Sequence, residues 1–389
     1  MAYKKFNASQ LFTGKKMLDE NFVLIVQENG VIETIVRVDE AGDDIQEING
    51  ILCPGFINAH CHLELSHVKG RIPEHTGLVD FILQVISKRQ TDTDQILEAV
   101  EKAENEMLAA GIVAVGDICN HTHSLTQKNA KRLHYHNFIE VSGWNPIVAA
   151  SRMETSLTFY KIFKNLFPLH TSLSPHAPYS VASELWDLML PFFSEQIITI
   201  HNQESAAENE LFKSDSGDFK SLYQLMQINN PSFAATGKNS LPSIFHYLEA
   251  AKHILLVHNS FTEQSDIDLI RSSQTPVSFC LCPNANLYIE QILPPIDLFV
   301  KNNIALVIGT DSLASNHQLS ILDELKTLHH HFPHLSLSLV LQAATFNGAN
   351  ALGMEKELGS FEKGKRPGVL LLENVSDKIL SNSSVQRIL

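Results

Sequence analysis

From residue 51 onward the chain repeats one alternation: a short apolar run, then a segment with helical periodicity. The runs are Gly55–Ala59, Ile112–Val115, Asn137–Val141, Leu169–Leu173, Ile197–Ile200, Ile254–Val257, Val277–Leu281 and Ile304–Ile308. Between them lie amphipathic stretches such as Ile96–Ala110, Ser183–Phe193, Glu263–Ser272 and Ile321–His330. Runs without polar alternation suit strands covered on both faces, which parallel sheets require. Eight of them, spread over about 300 residues, predict a (β/α)8 TIM-type barrel; the alternative is an open, doubly wound sheet.

The flanks read differently. Phe22–Val26 and Val31–Val36, joined across Glu28-Asn29-Gly30, form a β-hairpin pattern. After the helix expected over Leu339–Leu352, another strand is expected over Gly368–Leu372. The two ends therefore predict a small β-sandwich domain from residues 1–52 and 353–389, around a barrel of residues 53–352. Lys213–Ser240 is polar and reads as a long excursion near the site.

Charge narrows the function. Lys+Arg 29 against Asp+Glu 43 gives a net charge of −14, which argues against a nucleic-acid partner. No apolar run approaches the ~20 residues needed to cross a bilayer, so no membrane partner is expected. The first residues lack the apolar core of a signal peptide. Cys53, Cys61, Cys119, Cys280 and Cys282 have no framework spacing, which fits a reducing, cytoplasmic setting.

Histidine is the outlier, at 19 residues. Barrel active sites lie at the C-terminal ends of the strands. There the sequence places His60-Cys61-His62, Ser174-Pro175-His176, His201-Asn202-Gln203-Glu204, Val257-His258 and Gly309-Thr310-Asp311. Alternation turns His60 and His62 to one face. Singly, each histidine fits a hydrogen-bonded structural role; together, imidazoles and a carboxylate at one barrel end suit a divalent metal with an open position. His121-Thr122-His123 and His134-Tyr135-His136 mimic the spacing but fall in a loop and at the far end of a strand. The run His329–His334 closes a helix, where cationic residues complement the dipole.

This ordered set resembles the amidohydrolase superfamily, over nearly the whole chain. The finer resemblance is to the branch of S-adenosylhomocysteine/methylthioadenosine deaminases, guanine deaminases and s-triazine hydrolases. It is carried by Ser174–Tyr179, His201-x-x-Glu204, Cys282-Pro283-Asn284-Ala285-Asn286 and Gly309–Ser312. The resemblance implies metal ligands His60, His62, His201 and Asp311. Binuclear members carry a carboxylated lysine on the fourth strand; Pro168–Tyr179 has no lysine, so one divalent ion is expected, zinc or alternatively iron.

In that frame Asp311 takes a proton from the metal-activated water, His258 orients the nucleophile, and Glu204 protonates a ring nitrogen. An ordinary amide has no such nitrogen, so Glu204 points to deamination; its bland alternative is a helix start at Ser205-Ala206-Ala207-Glu208. The stretches Asn58–Ser66, Gly116–Asn120 and Glu204–Phe212 resemble aminodeoxyfutalosine deaminases of the alternative menaquinone pathway. This implies a purine nucleoside substrate, with Glu64 and His176 as further substrate contacts beside Glu204. Glu64 also reads as a surface carboxylate, and His176 as a structural histidine held by its prolines. Lys213, Lys220 and Lys238 with Phe219, Tyr223 and Phe233 are the expected partners of the substrate's benzoate. The alternatives are an adenosine-type or guanine deaminase, a chlorohydrolase or cyclic-amide hydrolase, or a metal-free scaffold. A homodimer is compatible with all of them.

Overall fold

A computed structural model describes residues 3–389. All eight apolar runs coincide with strands: Phe56–Cys61, Ile112–Cys119, His134–Val141, Thr171–Pro175, Ile197–Asn202, His253–His258, Val277–Leu281 and Ala305–Ile308. They pair in parallel as two four-stranded sheets, each in consecutive order. The sheets meet where Cys61 bridges Asp311, and where the His201 N–H donates to the His176 carbonyl at 2.9 Å. This is an α/β fold of TIM-barrel type.

The helix Thr93–Ala109 shows how the connections form. The Asp92 side chain accepts the Asp94 N–H and caps the first turn. Ile96, Val100, Ala103 and Met107, at helical spacing, are buried against the sheet. Gly111, at φ +82°, then turns the chain into Ile112.

Both chain ends meet in one further sheet, where a sandwich was expected. Hydrogen bonds join Ile379–Arg387, Val369–Val375, Ile45–Pro54, Tyr3–Phe12, Phe22–Gln27 and Ile32–Arg37 in that order, with Met17–Asp19 beside Tyr3–Phe12. The physical reason is the parallel pairing of Tyr3–Phe12 with Ile45–Pro54 at its centre. The predicted hairpin and the C-terminal hairpin extend that ladder on opposite sides. Phe6, Leu11, Leu24, Leu52 and Phe361 form its own core. The 213–240 excursion is partly helical, over Ala206–Ser214 and Asp218–Leu225.

Candidate metal and active site

Phe56–Cys61 is buried throughout, and its last turn is tied to the loop after the eighth parallel strand. Asn58 Nδ2 donates to Thr310 Oγ1 at 2.8 Å, and the Thr310 N–H returns a bond to Asn58 Oδ1 at 3.1 Å. The His60 carbonyl accepts the N–H groups of Thr310 and Asp311 at 3.0 and 3.1 Å. Gly309 permits this approach: a Cβ there would lie 2.9 Å from His60 Cβ and 2.8 Å from Cys280 Sγ. Four non-glycine residues at the strand ends, Gln203, His258, Asn259 and Asp311, hold left-handed backbone, which costs energy and clusters at functional sites.

Five donors converge here. His62 Nε2 lies 3.2 Å from both His60 Nε2 and His201 Nε2, and 3.4 Å from Asp311 Oδ1. His60 Nε2 is 3.5 Å from the same oxygen. Donor atoms of His60, His201, His258 and Asp311 all lie within 4.8 Å of one another, close enough to hold one metal ion. His201 Nδ1 bonds the His176 carbonyl at 2.7 Å, which leaves its Nε2 for the cluster.

The donor set fits a divalent cation. Burial pushes His62 well down, and His201 and His258 down to about 3, so these rings present lone pairs. With the His201 Nδ1 proton spent on a carbonyl, its Nε2 faces His62 Nε2 at 3.2 Å as a lone pair. His60 Nδ1 and both ring nitrogens of His258 are buried without a hydrogen bond, which is costly unless a bound ion or molecule satisfies them. Asp311, against the burial that opposes it, is held below the carboxylate range by its His60 bond and the fields of His62 and His258. Ser315 Oγ donates to Asp311 Oδ2.

Glu204 is buried, with Oε1 3.5 Å from His258 Nε2. Burial, then the charges of Asp311 and Glu208, push its carboxyl well up, which favours the protonated form. The helix begins at Ala206, after Glu204, and Ser205 makes no capping bond; Glu208 instead accepts the Gln203 N–H at 2.9 Å. Glu204, His258, Asp311, His62, His201 and His176 line one cavity of about 520 Å³.

Several residues sit elsewhere than expected. Glu64 is buried behind the cavity wall: Oε2 accepts the Asn120 and His121 N–H groups at 3.0 and 3.1 Å, and Oε1 faces Arg89 at 3.6 Å. Lys213 pairs with Glu263, Lys220 with Asp215, and Lys238 is exposed. Phe219 packs under Tyr179 and Phe233 against Trp144, so of the three aromatics only Tyr223 lines this cavity. Its cations are Arg89 and Arg152, and Glu140 and Trp144 also face it. None of these carried a motif: Arg89 follows the helix Leu78–Lys88, Arg152 lies in the first turn of the helix Ala149–Leu166, and Glu140 and Trp144 belong to the third strand and the loop after it. His121 stacks on His123 at 3.7 Å, and His136 bonds Ser172 and the Leu352 carbonyl, both away from the cluster.

The chain matches the amidohydrolase family over residues 51–387. An adenosine deaminase of Helicobacter pylori is 28% identical over 328 residues, covering 82% of this chain and 78% of that protein. The H. pylori aminofutalosine deaminase structure with methylthio-coformycin superposes with a TM-score of 0.81 at 23% identity, covering 96% of this chain and 93% of that one. A zinc-bound adenosine deaminase of Xanthomonas campestris gives a TM-score of 0.70 at 20% identity, covering 95% and 84%.

Proposed function

Since the chain belongs to the amidohydrolase family, we propose that it is a metal-dependent hydrolytic deaminase of a purine nucleoside. One observation carries this reading: Glu204, a buried carboxyl, opens onto the same cavity as the histidine and aspartate cluster, 3.5 Å from His258. An ordinary amide has no ring nitrogen to protonate, whereas attack at C6 of a 6-aminopurine calls for a proton at N1.

In this reading His60, His62, His201 and Asp311 hold one divalent ion, zinc, as in the zinc-bound neighbour. When bound, such an ion supplies Lewis acidity and makes hydroxide available at neutral pH. Glu204 donates its proton to N1 as C6 becomes tetrahedral. Asp311 receives the proton released from the attacking water, and His258 orients that water from the next strand. Asp311 passes its proton to the amino group, the C6–N bond breaks to release ammonia, and the C6 hydroxyl gives up its proton to restore Glu204, leaving the 6-oxo product. The two four-stranded sheets act as one barrel over residues 53–352, with 1–52 and 353–389 as the small β domain.

For the substrate we infer 6-amino-6-deoxyfutalosine. Phe81, Trp144 and Leu222 give the cavity of about 520 Å³ an apolar wall, and Arg89 and Arg152 also line it. A benzoate needs such a wall and such a cation. The name of the H. pylori neighbour supports the same choice. The second reading is adenosine itself, favoured by the 28% identical relative. Ammonia release from a panel of 6-aminopurine nucleosides decides between them. The aminodeoxyfutalosine reading expects kcat/KM at least ~10²-fold above adenosine, from a charge-assisted contact plus ring burial. Equal rates overturn it, and no release from any member overturns the deaminase reading.

A further inference from the structure

An extended chain would turn Glu204 away from the histidine cluster. His201 lies near the end of the strand Ile197–Asn202, and side chains alternate, so three residues later an extended Glu204 would face the opposite side. Both residues nevertheless line one cavity, because the chain bends between them. Gln203 holds left-handed backbone at φ +47°, which costs energy in a residue with a side chain. Among the described residues, no hydrogen bond holds the Glu204 carboxyl, which faces His258 Nε2 at 3.5 Å. Its aim is therefore set by its backbone.

Glu208 holds that backbone. It is fully buried in the first turn of the helix Ala206–Ser214, behind Glu204 and off the cavity wall. Its Oε1 accepts the Gln203 N–H at 2.9 Å and the Ser240 hydroxyl, and its Oε2 accepts the Glu204 N–H at 3.4 Å. Gln203 and Glu204 precede the helix, so the carboxylate caps none of the helix's own N–H groups; it serves the bend. The bend's other anchors act on different atoms. Gln203 Nε2 donates to Asp266 Oδ2 at 2.9 Å, and the Gln203 carbonyl accepts the Phe261 N–H at 3.0 Å. Among the described residues, the two successive N–H groups are left to Glu208 alone, and an ionised acceptor makes the stronger bond to each.

We propose that Glu208 is a positioning residue: its carboxylate fixes the left-handed bend at Gln203 and thereby aims the Glu204 carboxyl into the cavity. This rests on the proton-donor role proposed for Glu204. Glu208 touches no substrate, so its whole effect on turnover passes through Glu204. Misplacing a reacting group by about 1 Å can cost ~10²-fold in rate, and two residues that act as one unit lose far less together than the sum of their separate losses.

The test is a double-variant cycle on the metal-loaded protein, read with the nucleoside that the panel turns over fastest. Glu208→Gln, nearly isosteric, loses one of the two acceptors and should lower kcat by about 10²-fold, with KM within about 3-fold and metal content unchanged. In a Glu204→Gln background the same substitution should cost less than about 3-fold. A Glu208→Gln kcat within about 3-fold of wild type, a loss carried by KM, or an equal loss in both backgrounds overturns the proposal. Glu208→Asp, which keeps the charge and shortens the reach, goes through the same cycle with the same outcomes, so an unfolded glutamine variant does not end the test. Crystal structures of the wild type and the variants are the second measurement, independent of turnover. Gln203 should leave the left-handed region, or Glu204 should leave His258, in the variants; an unchanged bend with Glu204 in place overturns the proposal. If the wild type releases ammonia from no nucleoside while the bend is lost in the variants, the deaminase reading falls and Glu208 keeps its positioning role.

Discussion

Asp117→Asn tests how the histidine cluster is supported from behind. Lys128 and Asp117 are both fully buried and paired, with Nζ 2.5 Å from Oδ2. Lys128 also donates to Asn137 Oδ1 at 2.9 Å and contacts Cys119 Sγ at 3.1 Å. Asp117 Oδ1 accepts the Leu63 N–H at 2.8 Å, one residue beyond His62. The ion pair thus fixes the backbone that aims a cluster histidine. Asparagine keeps an acceptor for Leu63 but removes the charge, leaving a buried ammonium with only neutral partners. Breaking one side of a buried pair costs about 3–5 kcal/mol, a large share of a typical net stability of ~5–15 kcal/mol. The remaining bond to Asn137 places the expectation near the lower end, about 3 kcal/mol. Urea unfolding of the metal-loaded protein reads the loss, and a zinc competition titration reads the weakened cluster. Adding Lys128→Met removes the stranded charge and should restore most of the stability, because replacing a buried pair by apolar volume is often neutral. A single variant within about 1 kcal/mol of wild type, or a double variant less stable than the single, would refute the reasoning.

Glu204→Gln should retain its metal and lose roughly 10²–10⁴-fold in kcat, the usual worth of general-acid work; an unchanged kcat in a steady-state ammonia assay removes Glu204 from the chemistry. Elemental analysis should return one divalent ion per chain, since Thr171–Pro175 offers no lysine, and two equivalents would end the mononuclear reading. Gly309→Ala should cost about 1–3 kcal/mol through overpacking and weaken zinc binding as His60 is displaced. An alanine variant with wild-type melting temperature and zinc affinity would show that the loop yields without moving His60.

The parallel strands were legible because a strand buried on both faces has no polar alternation, and Val277–Leu281 or Ile254–Val257 shows nothing else. The histidine cluster was legible because period-two spacing puts His60 and His62 on one face at a strand end. What stayed hidden is what only folding brings together. Tyr3–Phe12 mixes lysines with apolar residues and gave no strand signal, yet it lies at the centre of the terminal sheet. The lysines of the excursion looked like substrate cations because sequence cannot show Asp215 or Glu263 beside them. Glu64 looked like a contact because its backbone donors, Asn120 and His121, come from another strand's loop. Arg89, Arg152 and Glu140 sit alone in sequence and become a set only on the cavity wall.

The terminal sheet also sets a timetable for synthesis. Ile45–Pro54 leaves the ribosome early, but its partner Val369–Val375, with Val369 opposite Pro54, is made about 315 residues later. At roughly 5–20 residues per second the wait lasts about 15–60 s. Throughout it, Ile51, Leu52 and Cys53 present an unpaired apolar edge that any other nascent chain can extend. Production yield in a host should therefore respond to chaperone supply more strongly than the stability of the finished protein would suggest, and the interval of exposure, not the native state, is where losses to aggregation concentrate.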